Sequence, residues 1–223
     1  MANIVITGAN RGIGLELARL YSQRGDTVFA VCRESSDELD ELADQIISGI
    51  DVTDADAVSG LQTILAEFLD GPLDVLINNA GIFLNETLDE MDFDQIMRQF
   101  EVNAVAPLRV THTLLPLMQS GGKIANVTSR MGSMADNGSG KYYGYRASKA
   151  ALNAFGKSLA QDLRERGIAV AQLHPGFVQT RMVNFAGDIT PVQAATGLAA
   201  RIDELTLENS GGFWHSNGQQ LPW

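Results

Sequence analysis

A tyrosine and a lysine stand four residues apart in the segment YGYRASKAALNAF. On a helix this spacing places Tyr145 and Lys149 on one face, about one turn apart. A free phenol has a pKa of about 10 and a free lysine about 10.4, so neither group alone titrates near neutral pH. An ammonium beside the phenol favours the ionised form. The pair predicts a proton-transfer site with tyrosine as the acid. Because such pairs also arise by chance on helix surfaces, the prediction needs support from the rest of the chain.

Composition narrows the class of protein. The chain has 223 residues and a formal net charge of -11, from 27 acidic and 16 basic residues. This charge argues against nucleic acid and anionic membrane surfaces as partners. A single cysteine, Cys32, excludes an internal disulfide, and three scattered histidines predict no metal site. No stretch reaches about 18 apolar residues, and the first residues lack a basic and apolar leader. We therefore expect a soluble cytoplasmic protein.

Short β-branched runs alternate with longer amphipathic segments along the whole chain. The runs are residues 4–6, 28–31, 46–50, 75–77, 124–127 and 168–173. Segments with helical spacing of apolar positions include residues 14–23, 55–69, 93–118 and 147–166. The alternation predicts an α/β fold in one domain, residues 1–223, with a doubly wound parallel sheet of the Rossmann type and helices on both faces. Pro107 and Pro116 predict a bend or break inside the longest segment.

The first strand runs directly into a glycine-rich turn, TGANRGIG at residues 7–14. Glycines allow a tight turn and close approach to a pyrophosphate, and the start of the following helix favours an anion. Polar or glycine-rich residues stand at the ends of the other predicted strands: Arg33, Asp51, residues 78–81, Ser129 and residues 175–176. Ligands of open α/β sheets bind beyond the carboxyl ends of the strands. This arrangement predicts a dinucleotide along that edge.

Several short motifs follow in order: TGANRGIG at residues 7–14, Asp51 in IDVTD, NNAG at 78–81, Asn103 in EVNAVAP, NVTSRMG at 126–132, YRASK at 145–149 and HPGFVQT at 174–180. With this set the chain resembles the classical short-chain dehydrogenase/reductase family over nearly its whole length. The ending GGFWHSNGQQLPW and the short segment after Thr180 resemble the carbonyl-reductase-like group, which includes C-factor and sniffer.

The resemblance implies a role for each of four catalytic residues. Tyr145 would donate a proton to a carbonyl oxygen, while Lys149 would lower the pKa of the tyrosine and hold the nicotinamide ribose. Ser129 would steady the carbonyl oxygen, and Asn103 would anchor a water that passes protons through Lys149. The implied cofactor-binding residues are Gly8, Asn10, Arg11, Gly12, Ile13, Gly14, Arg33, Asp51, Val52, Asn78, Asn79, Ala80, Gly81, Tyr145, Lys149, Pro175, Gly176, Val178 and Thr180. Asp51 would meet the adenine, Asn78 would brace the central strand, and Thr180 would bond the carboxamide.

Some of these assignments have alternatives. Asn103 is also a favoured type of helix cap, and Thr128 is an alternative donor to Ser129. Ser129 and Tyr145 are 16 positions apart, about three more than is common in the family, so residues 133–141 should form a bulged loop that leads into the helix. We interpret Lys141 as a solvated loop charge. His174 and His215 are interpreted as structural, because nothing pairs them with a nucleophile.

A basic residue after the second strand favours NADPH over NADH. An acid there would bind the adenine ribose of NAD, whereas an arginine accommodates the phosphate of NADP. Arg33 occupies this place, and Arg11 in the glycine turn would complete a basic clamp. Glu34 keeps the alternative open, because a shift of one residue would present an acid instead.

The sequence also suggests a class of substrate and a set of pocket residues. We expect a small apolar or aromatic carbonyl compound, with pocket candidates Phe83, Met131, Phe177, Met182 and Phe185, and a shallow, open pocket because residues 181–190 form a short segment. The alternatives are an NAD-preferring alcohol dehydrogenase and a dinucleotide-binding regulatory protein.

We also expect a homodimer or homotetramer through the helices at 103–118 and 147–166. These segments carry Ala104, Ala106, Ala147, Ala150, Ala151 and Ala154, which is more apolar surface than one buried stripe requires.

Overall fold

A single seven-stranded sheet forms the centre of the protein. The structure is a computed structural model that describes residues 1–43 and 45–223. The strands are β1 Asn3–Thr7, β2 Thr27–Val31, β3 Gln45–Ile47, β4 Leu73–Asn78, β5 Met118–Val127, β6 Ala169–His174 and β7 Gly212–His215. All neighbours pair in parallel, in the order β3-β2-β1-β4-β5-β6-β7. The order reverses between β1 and β4, which is where such sheets open a crevice for ligands.

Helices cover both faces of the sheet. They are α1 Gly12–Gln23, α2 Asp37–Asp40, α3 Ala55–Phe68, α4 Phe93–Phe100, α5 Ala106–Leu114, α6 Tyr143–Asp162 and α7 Pro191–Asp203. Ile4 and Ile6 face the core under α1 and α7, whereas Val5 faces the core under α3 and α5. This alternation follows from the two-residue period of a strand. The predicted α/β fold with helices on both faces is confirmed. Among the described helices, none combines the length and apolar character needed to cross a bilayer.

The long segment at residues 93–118 is divided as its prolines predict, but its end differs from the prediction. A π-helical turn, Glu101–Val105, separates α4 from α5, and Pro107 lies at the start of α5. Proline has no N–H to continue the preceding helix, so the break falls where the hydrogen-bond register changes. A 3₁₀ turn, Leu115–Leu117, contains Pro116. Met118 is already the first residue of β5, so the prediction of helix at that position is wrong.

Two further elements differ from the sequence pattern. β7 is absent from the predicted runs, because GFWH is not a β-branched sequence. The helix that carries Tyr145 begins at Tyr143, four residues before the predicted start, and the preceding loop has three consecutive residues at positive φ, Gly140, Lys141 and Tyr142. Non-glycine residues rarely adopt this conformation. The approach to α6 is therefore a strained stretch of backbone that other contacts must hold.

A ladder of three amide side chains crosses the middle of the sheet, which we call the amide ladder: Asn78, Asn126 and Gln172. Asn78 Nδ2 donates to Asn126 Oδ1 at 2.9 Å, and Asn126 Nδ2 donates to Gln172 Oε1 at 2.9 Å. The three residues are register partners on β4, β5 and β6, and each is at most 2% exposed. Gly156 on α6 packs directly over the ladder, where a Cβ would collide with Gln172.

Candidate active site

The glycine-rich turn after β1 leaves the edge of the sheet open beside a helix start. Gly8 has φ +66°, and a Cβ there would lie 3.0 Å from Ala80 Cα. A Cβ on Gly14, in the first turn of α1, would run into the carbonyl of Gly8. The turn therefore tolerates no side chain at either position and presents its backbone at the start of α1. Such a start attracts phosphate groups. These residues fit the pyrophosphate of a dinucleotide.

Asn79 and Thr7 hold this turn in place. Asn79 Nδ2 donates to the carbonyls of Thr7 and Gly8, at 3.0 and 3.1 Å. The Thr7 hydroxyl accepts the N–H groups of Asn79 and Ala80, at 3.0 and 3.1 Å. Asn79 was assigned to the cofactor from the sequence, but its side chain is committed to the glycine turn. Thr7 was not singled out as a site residue, although it begins the TGANRGIG motif.

The predicted adenine end of the crevice contains an ion pair. Arg33 Nη1 lies 3.8 Å from Asp51 Oδ2, and both side chains are largely exposed. Hydrogen bonds from Thr53, followed by the nearby arginines, keep the pKa of Asp51 below its usual range. Ser36 Oγ donates to the carbonyl of Asn10 at 2.9 Å, which ties the segment after Arg33 to the glycine turn. The structure thus brings Arg33 and Asp51 together. The clamp between Arg33 and Arg11 stays a prediction.

Val52 and Ala80 line a small cleft on the same edge, together with Thr7, Asn78, Pro107 and Val110. At the other end of the crevice, a Cβ on Gly12 would lie 3.4 Å from Thr180 Cγ2. The segment after β6 therefore reaches across to the glycine turn. Pro175 and Val178 lie between β6 and Thr180. Ser216 Oγ donates a hydrogen bond to the carbonyl of Pro175, and Val178 forms a β-bridge with Ile189.

Tyr145 and Lys149 lie on the buried face of α6. Tyr145 is 9% exposed and Lys149 is 5% exposed, and Lys149 Nζ lies 5.9 Å from the centre of the tyrosine ring. Burial raises the pKa of Tyr145 to about 12, and a hydrogen bond with Ser129 opposes that rise. The net direction is opposite to the one expected from the sequence, because burial outweighs the hydrogen bond with Ser129. Tyr145 is therefore protonated at neutral pH.

Lys149 carries a charge that burial makes costly. Its Nζ donates to the carbonyl of Val127 at 2.9 Å. Burial lowers the pKa of Lys149 to about 8, so the group is close to its titration point under ordinary conditions. A group near its titration point exchanges protons readily with its surroundings. Gly81 lies beside Lys149, since a Cβ at position 81 would be 3.7 Å from the lysine Nζ.

Asn103 lies in the π-helical turn between α4 and α5. Its Oδ1 accepts the N–H of Ile82 at 2.8 Å, and its Nδ2 donates to the carbonyl of Ile82 at 2.9 Å. The same Nδ2 also donates to Ser148 Oγ at 3.1 Å. The side chain is thus a bridge from the π-helical turn to the loop at Ile82 and to α6, rather than a cap. Single π turns are frequent at functional sites.

Ser129 follows β5 and is 7% exposed, close to Tyr145. Its Oγ accepts the N–H of Met131 at 3.1 Å, which leaves its own proton free to donate. The neighbouring Thr128 hydroxyl donates instead to Asn153 Oδ1 at 2.8 Å and is buried away from the crevice. This geometry favours Ser129 over Thr128 as the donor beside the tyrosine.

Apolar side chains lie beside Tyr145 and in the segment after β6. The ring of Phe83 packs edge-on against Tyr145, with centroids 4.8 Å apart. Phe177, Met182 and Phe185 are 47%, 44% and 62% exposed. Their exposure leaves apolar surface for a ligand, and the open pocket stays a prediction.

His174 and His215 form an edge-on pair with centroids 4.9 Å apart. Burial, followed by the charges of His215 and Arg130, lowers the pKa of His174 to about 3. A histidine of this kind stays neutral and does not act as a base near pH 7, which agrees with the structural interpretation.

Two curated relatives are similar to this chain. The 1-hydroxy-2-glutathionyl-2-methyl-3-butene dehydrogenase of Rhodococcus sp. (strain AD45) is 40% identical over 227 residues, which is all of both chains. The C-signal protein of Myxococcus xanthus is 44% identical over 156 residues, which is 69% of this chain and 94% of that protein.

Solved structures agree with these relatives. The NADPH-bound carbonyl reductase from chicken fatty liver has a TM-score of 0.92 at 29% identity, over 100% of this chain and 99% of that one. The carbonyl reductase Sniffer of D. melanogaster has a TM-score of 0.92 at 32% identity, over 100% of both. The family model described as short chain dehydrogenase matches residues 2–188. The chain therefore belongs to the short-chain dehydrogenase/reductase family, an oxidoreductase family whose fold binds a nicotinamide dinucleotide.

Proposed function

We propose that this protein is a cytoplasmic, NADPH-dependent reductase of small, apolar or aromatic carbonyl compounds. The observation that carries the proposal is that the buried Tyr145 lies within hydrogen-bonding reach of Ser129, with Lys149 Nζ 5.9 Å from the centre of its ring. Such an arrangement supplies a proton and a hydrogen-bond donor at one carbonyl oxygen. Phe83 beside Tyr145, and the exposed rings of Phe177 and Phe185 after β6, support a ligand with an aromatic or aliphatic body.

When bound, the nicotinamide supplies a hydride to the carbonyl carbon. Ser129 Oγ donates a hydrogen bond to the carbonyl oxygen, and Tyr145 Oη transfers its proton to the same oxygen as negative charge develops there. The ammonium of Lys149 stabilises the resulting tyrosinate. With a pKa near 8, it also returns a proton to the site. Asn103 fixes Ile82 and Ser148 around this route.

The proposed preference for NADPH rests on Arg33. It lies at the end of β2, beside Asp51, in a chain whose net charge is -11. Arginine pairs well with a phosphate group. Two similar proteins, the chicken reductase and a carbonyl reductase of Pseudomonas aeruginosa PAO1, have solved structures with NADPH or NADP bound.

The test is turnover of a panel of aldehydes and ketones with NADPH and with NADH, for the wild type and Arg33→Asp. We expect the wild type to prefer NADPH, and the variant to bind NADPH about tenfold or more weakly while NADH binding is unchanged or improved. Both dissociation constants are measured at one ionic strength. Arg19→Asp, on the outer side of α1, is the matched charge control. An unchanged preference in Arg33→Asp would assign the discrimination to Arg11 or Glu34.

A second candidate is oxidation of a hydroxy compound, because the Rhodococcus relative is named for a dehydrogenase reaction on a 1-hydroxy compound that carries a glutathionyl group. The same residues would then act in reverse, with Tyr145 accepting the proton of the alcohol. Alcohols, including a glutathionyl alcohol, are therefore assayed with NAD and NADP alongside the carbonyl panel. Cofactor binding without turnover in either direction would favour the regulatory alternative.

We also propose that the protein forms a homodimer or homotetramer through α5 and α6. The structure changes which alanines support this proposal. Ala104 and Ala106 are fully buried within one chain, whereas Ala147 and Ala154 on α6 are exposed. The apolar surface available for contact with a second copy of the chain is therefore smaller than the sequence indicated.

Light scattering of the wild type is expected to give at least twice the monomer mass at micromolar concentration. Ala154→Glu should lower that mass, because two-fold symmetry brings the introduced charges together. Ala66→Glu on the outer face of α3 should leave it unchanged. A wild-type monomer would remove this proposal without affecting the catalytic one.

A further inference from the structure

Glu86 is a completely buried carboxylate outside the site described so far. It lies in the segment between β4 and α4 and is 0% exposed. Its Oε2 accepts the N–H of Gly144 at 3.1 Å, and its Oε1 accepts Nε2 of Gln99 at 2.5 Å. Among residues 1–43 and 45–223, no lysine, arginine or histidine forms an ion pair with it. A buried carboxylate is costly unless hydrogen bonds replace its water. The surroundings of Glu86 provide those bonds through neutral donors.

Gln99, which lies on α4, is the side-chain partner of Glu86. It is also 0% exposed, and its Oε1 accepts the N–H of Leu84 at 2.8 Å. Because that N–H requires an oxygen, the amide nitrogen of Gln99 must face Glu86. Gln99 therefore joins the loop after β4 to the carboxylate, and its amide orientation is determined by both partners. We call Glu86 and Gln99 the buried clamp.

The clamp supplies a cap that α6 lacks. The capping residue of α6, Tyr142, makes no side-chain hydrogen bond to the helix, and its φ is +55°. The first N–H groups of a helix need partners from outside it. Glu86 meets this need twice, since its carboxylate binds the N–H of Gly144 and its backbone carbonyl accepts the N–H of Tyr142 at 3.0 Å. A negative group at a helix start is also favourable for the helix dipole.

No side chain at position 144 would fit beside the clamp. A Cβ on Gly144 would lie 2.5 Å from Gln99 Nε2 and 2.9 Å from Ile96 Cα. The first turn of α6 is thus pressed directly against α4. That turn therefore has no room to move closer to α4.

The clamp is linked to Tyr145 through two neighbouring backbone segments. Gly144 directly precedes Tyr145, so the hydrogen bond that its N–H donates to Glu86 fixes the backbone next to the tyrosine. Phe83, which directly precedes Leu84, packs its ring against the tyrosine ring at 4.8 Å. Gln99 holds Leu84, and therefore the backbone next to Phe83. One pair of side chains determines both the helix turn that carries Tyr145 and the ring that it packs on.

We propose that Glu86 and Gln99 are positioning residues that set the place of the Tyr145 hydroxyl in the active site. This inference rests on the proposed reductase function. Neither residue touches the reacting atoms. The strained residues Lys141 and Tyr142, both at positive φ, lie immediately before the clamped turn. Without the clamp, that stretch can relax and carry the start of α6 with it.

The first variant is Glu86→Gln, which changes one oxygen to an amide nitrogen at nearly constant volume. Both partners of the carboxylate are N–H donors, so the new amide must point its own donors at one of them. We expect kcat to fall by about 10- to 100-fold, because a small displacement of a reacting group is enough for such a loss. The KM of the carbonyl substrate and the Kd of NADPH should change by less than about threefold. This separation distinguishes a displaced tyrosine from a protein that is partly unfolded.

The second variant is the exchange Glu86→Gln with Gln99→Glu. A carboxylate at position 99 can accept the N–H of Leu84 and the new amide at position 86, whose oxygen can still accept the N–H of Gly144. Every hydrogen bond of the clamp is restored with its atoms exchanged. We expect kcat to return to within about threefold of the wild type, whereas Gln99→Glu alone, which opposes two carboxylates, should be at least as impaired as Glu86→Gln.

Hydrogen exchange of the peptide that contains residues 143–149 provides a readout that needs no turnover. Its amides should exchange faster in Glu86→Gln and regain protection in the exchanged double variant. Wild-type kcat and wild-type exchange in Glu86→Gln would overturn the proposal. So would a double variant that melts like the wild type but stays impaired. A wild type without turnover would instead contradict the proposed function, and the exchange measurement would still decide whether the clamp holds α6.

Discussion

Tyr145→Phe is expected to lower carbonyl reduction by about 10²- to 10⁴-fold while NADPH binding stays close to that of the wild type. The ring remains, so the edge-on contact with Phe83 at 4.8 Å is kept and only the hydroxyl is lost. Burial holds the pKa of that hydroxyl at about 12, so it is protonated at neutral pH and, in the proposed reaction, gives its proton to the carbonyl oxygen. Turnover and the Kd of NADPH are measured on the same preparation.

Tyr143→Phe is the matched control for this experiment. Tyr143 lies on the same helix turn and is 39% exposed, so loss of its hydroxyl should leave turnover unchanged. If Tyr145→Phe kept near-wild-type turnover, the assignment of the proton donor would be wrong and Ser129 would become the first alternative.

Lys149→Met is expected to abolish most turnover and to change how stability depends on pH. Burial lowers the pKa of Lys149 from 10.5 to about 8. Between these values the unfolded chain binds a proton that the folded protein does not, so wild-type stability rises with pH in this window. Below pH 8 both states are charged, and the full cost of the buried ammonium is present. The variant lacks this titration.

The measurement is urea unfolding at pH 7 and pH 9.5. From pH 7 to 9.5 the wild type should gain about 2 kcal/mol in free energy of unfolding relative to Lys149→Met, since each pKa unit corresponds to about 1.4 kcal/mol. Lys157→Met, at an exposed position of the same helix, should show no such difference. Equal pH dependence of the wild type and Lys149→Met would mean that the ammonium is better solvated than its burial indicates.

Local patterns were sufficient to predict much of this protein. A glycine turn after a strand, the four-residue spacing of Tyr145 and Lys149, and the polar residues at successive strand ends each depend on neighbours in sequence. The fold that they indicated is the one observed. The break at Pro107 is also a local effect, because a missing N–H disrupts whichever helix contains it.

Contacts between distant segments could not be predicted in this way. Glu86 and Gly144 are 58 residues apart, and nothing in the sequence near Glu86 marks it as the partner of a helix start. The pKa of Tyr145 depends on how completely the fold buries it, which the spacing to Lys149 does not reveal. β7 was missed because its pairing with β6, rather than its residue types, makes it a strand.

The amide ladder also affects the register in which the strands pair during folding. Adjacent residues of a strand face opposite sides, so a slip of one position would turn an amide into the apolar core under α1 and α7. A slip of two would leave its partners unpaired and buried. Asn78, Asn126 and Gln172 precede Asn79, Ser129 and Pro175 by one to three residues. The ladder therefore selects one register for β4, β5 and β6. Only the register that pairs all three amides places the residues that follow these strands side by side in the active site.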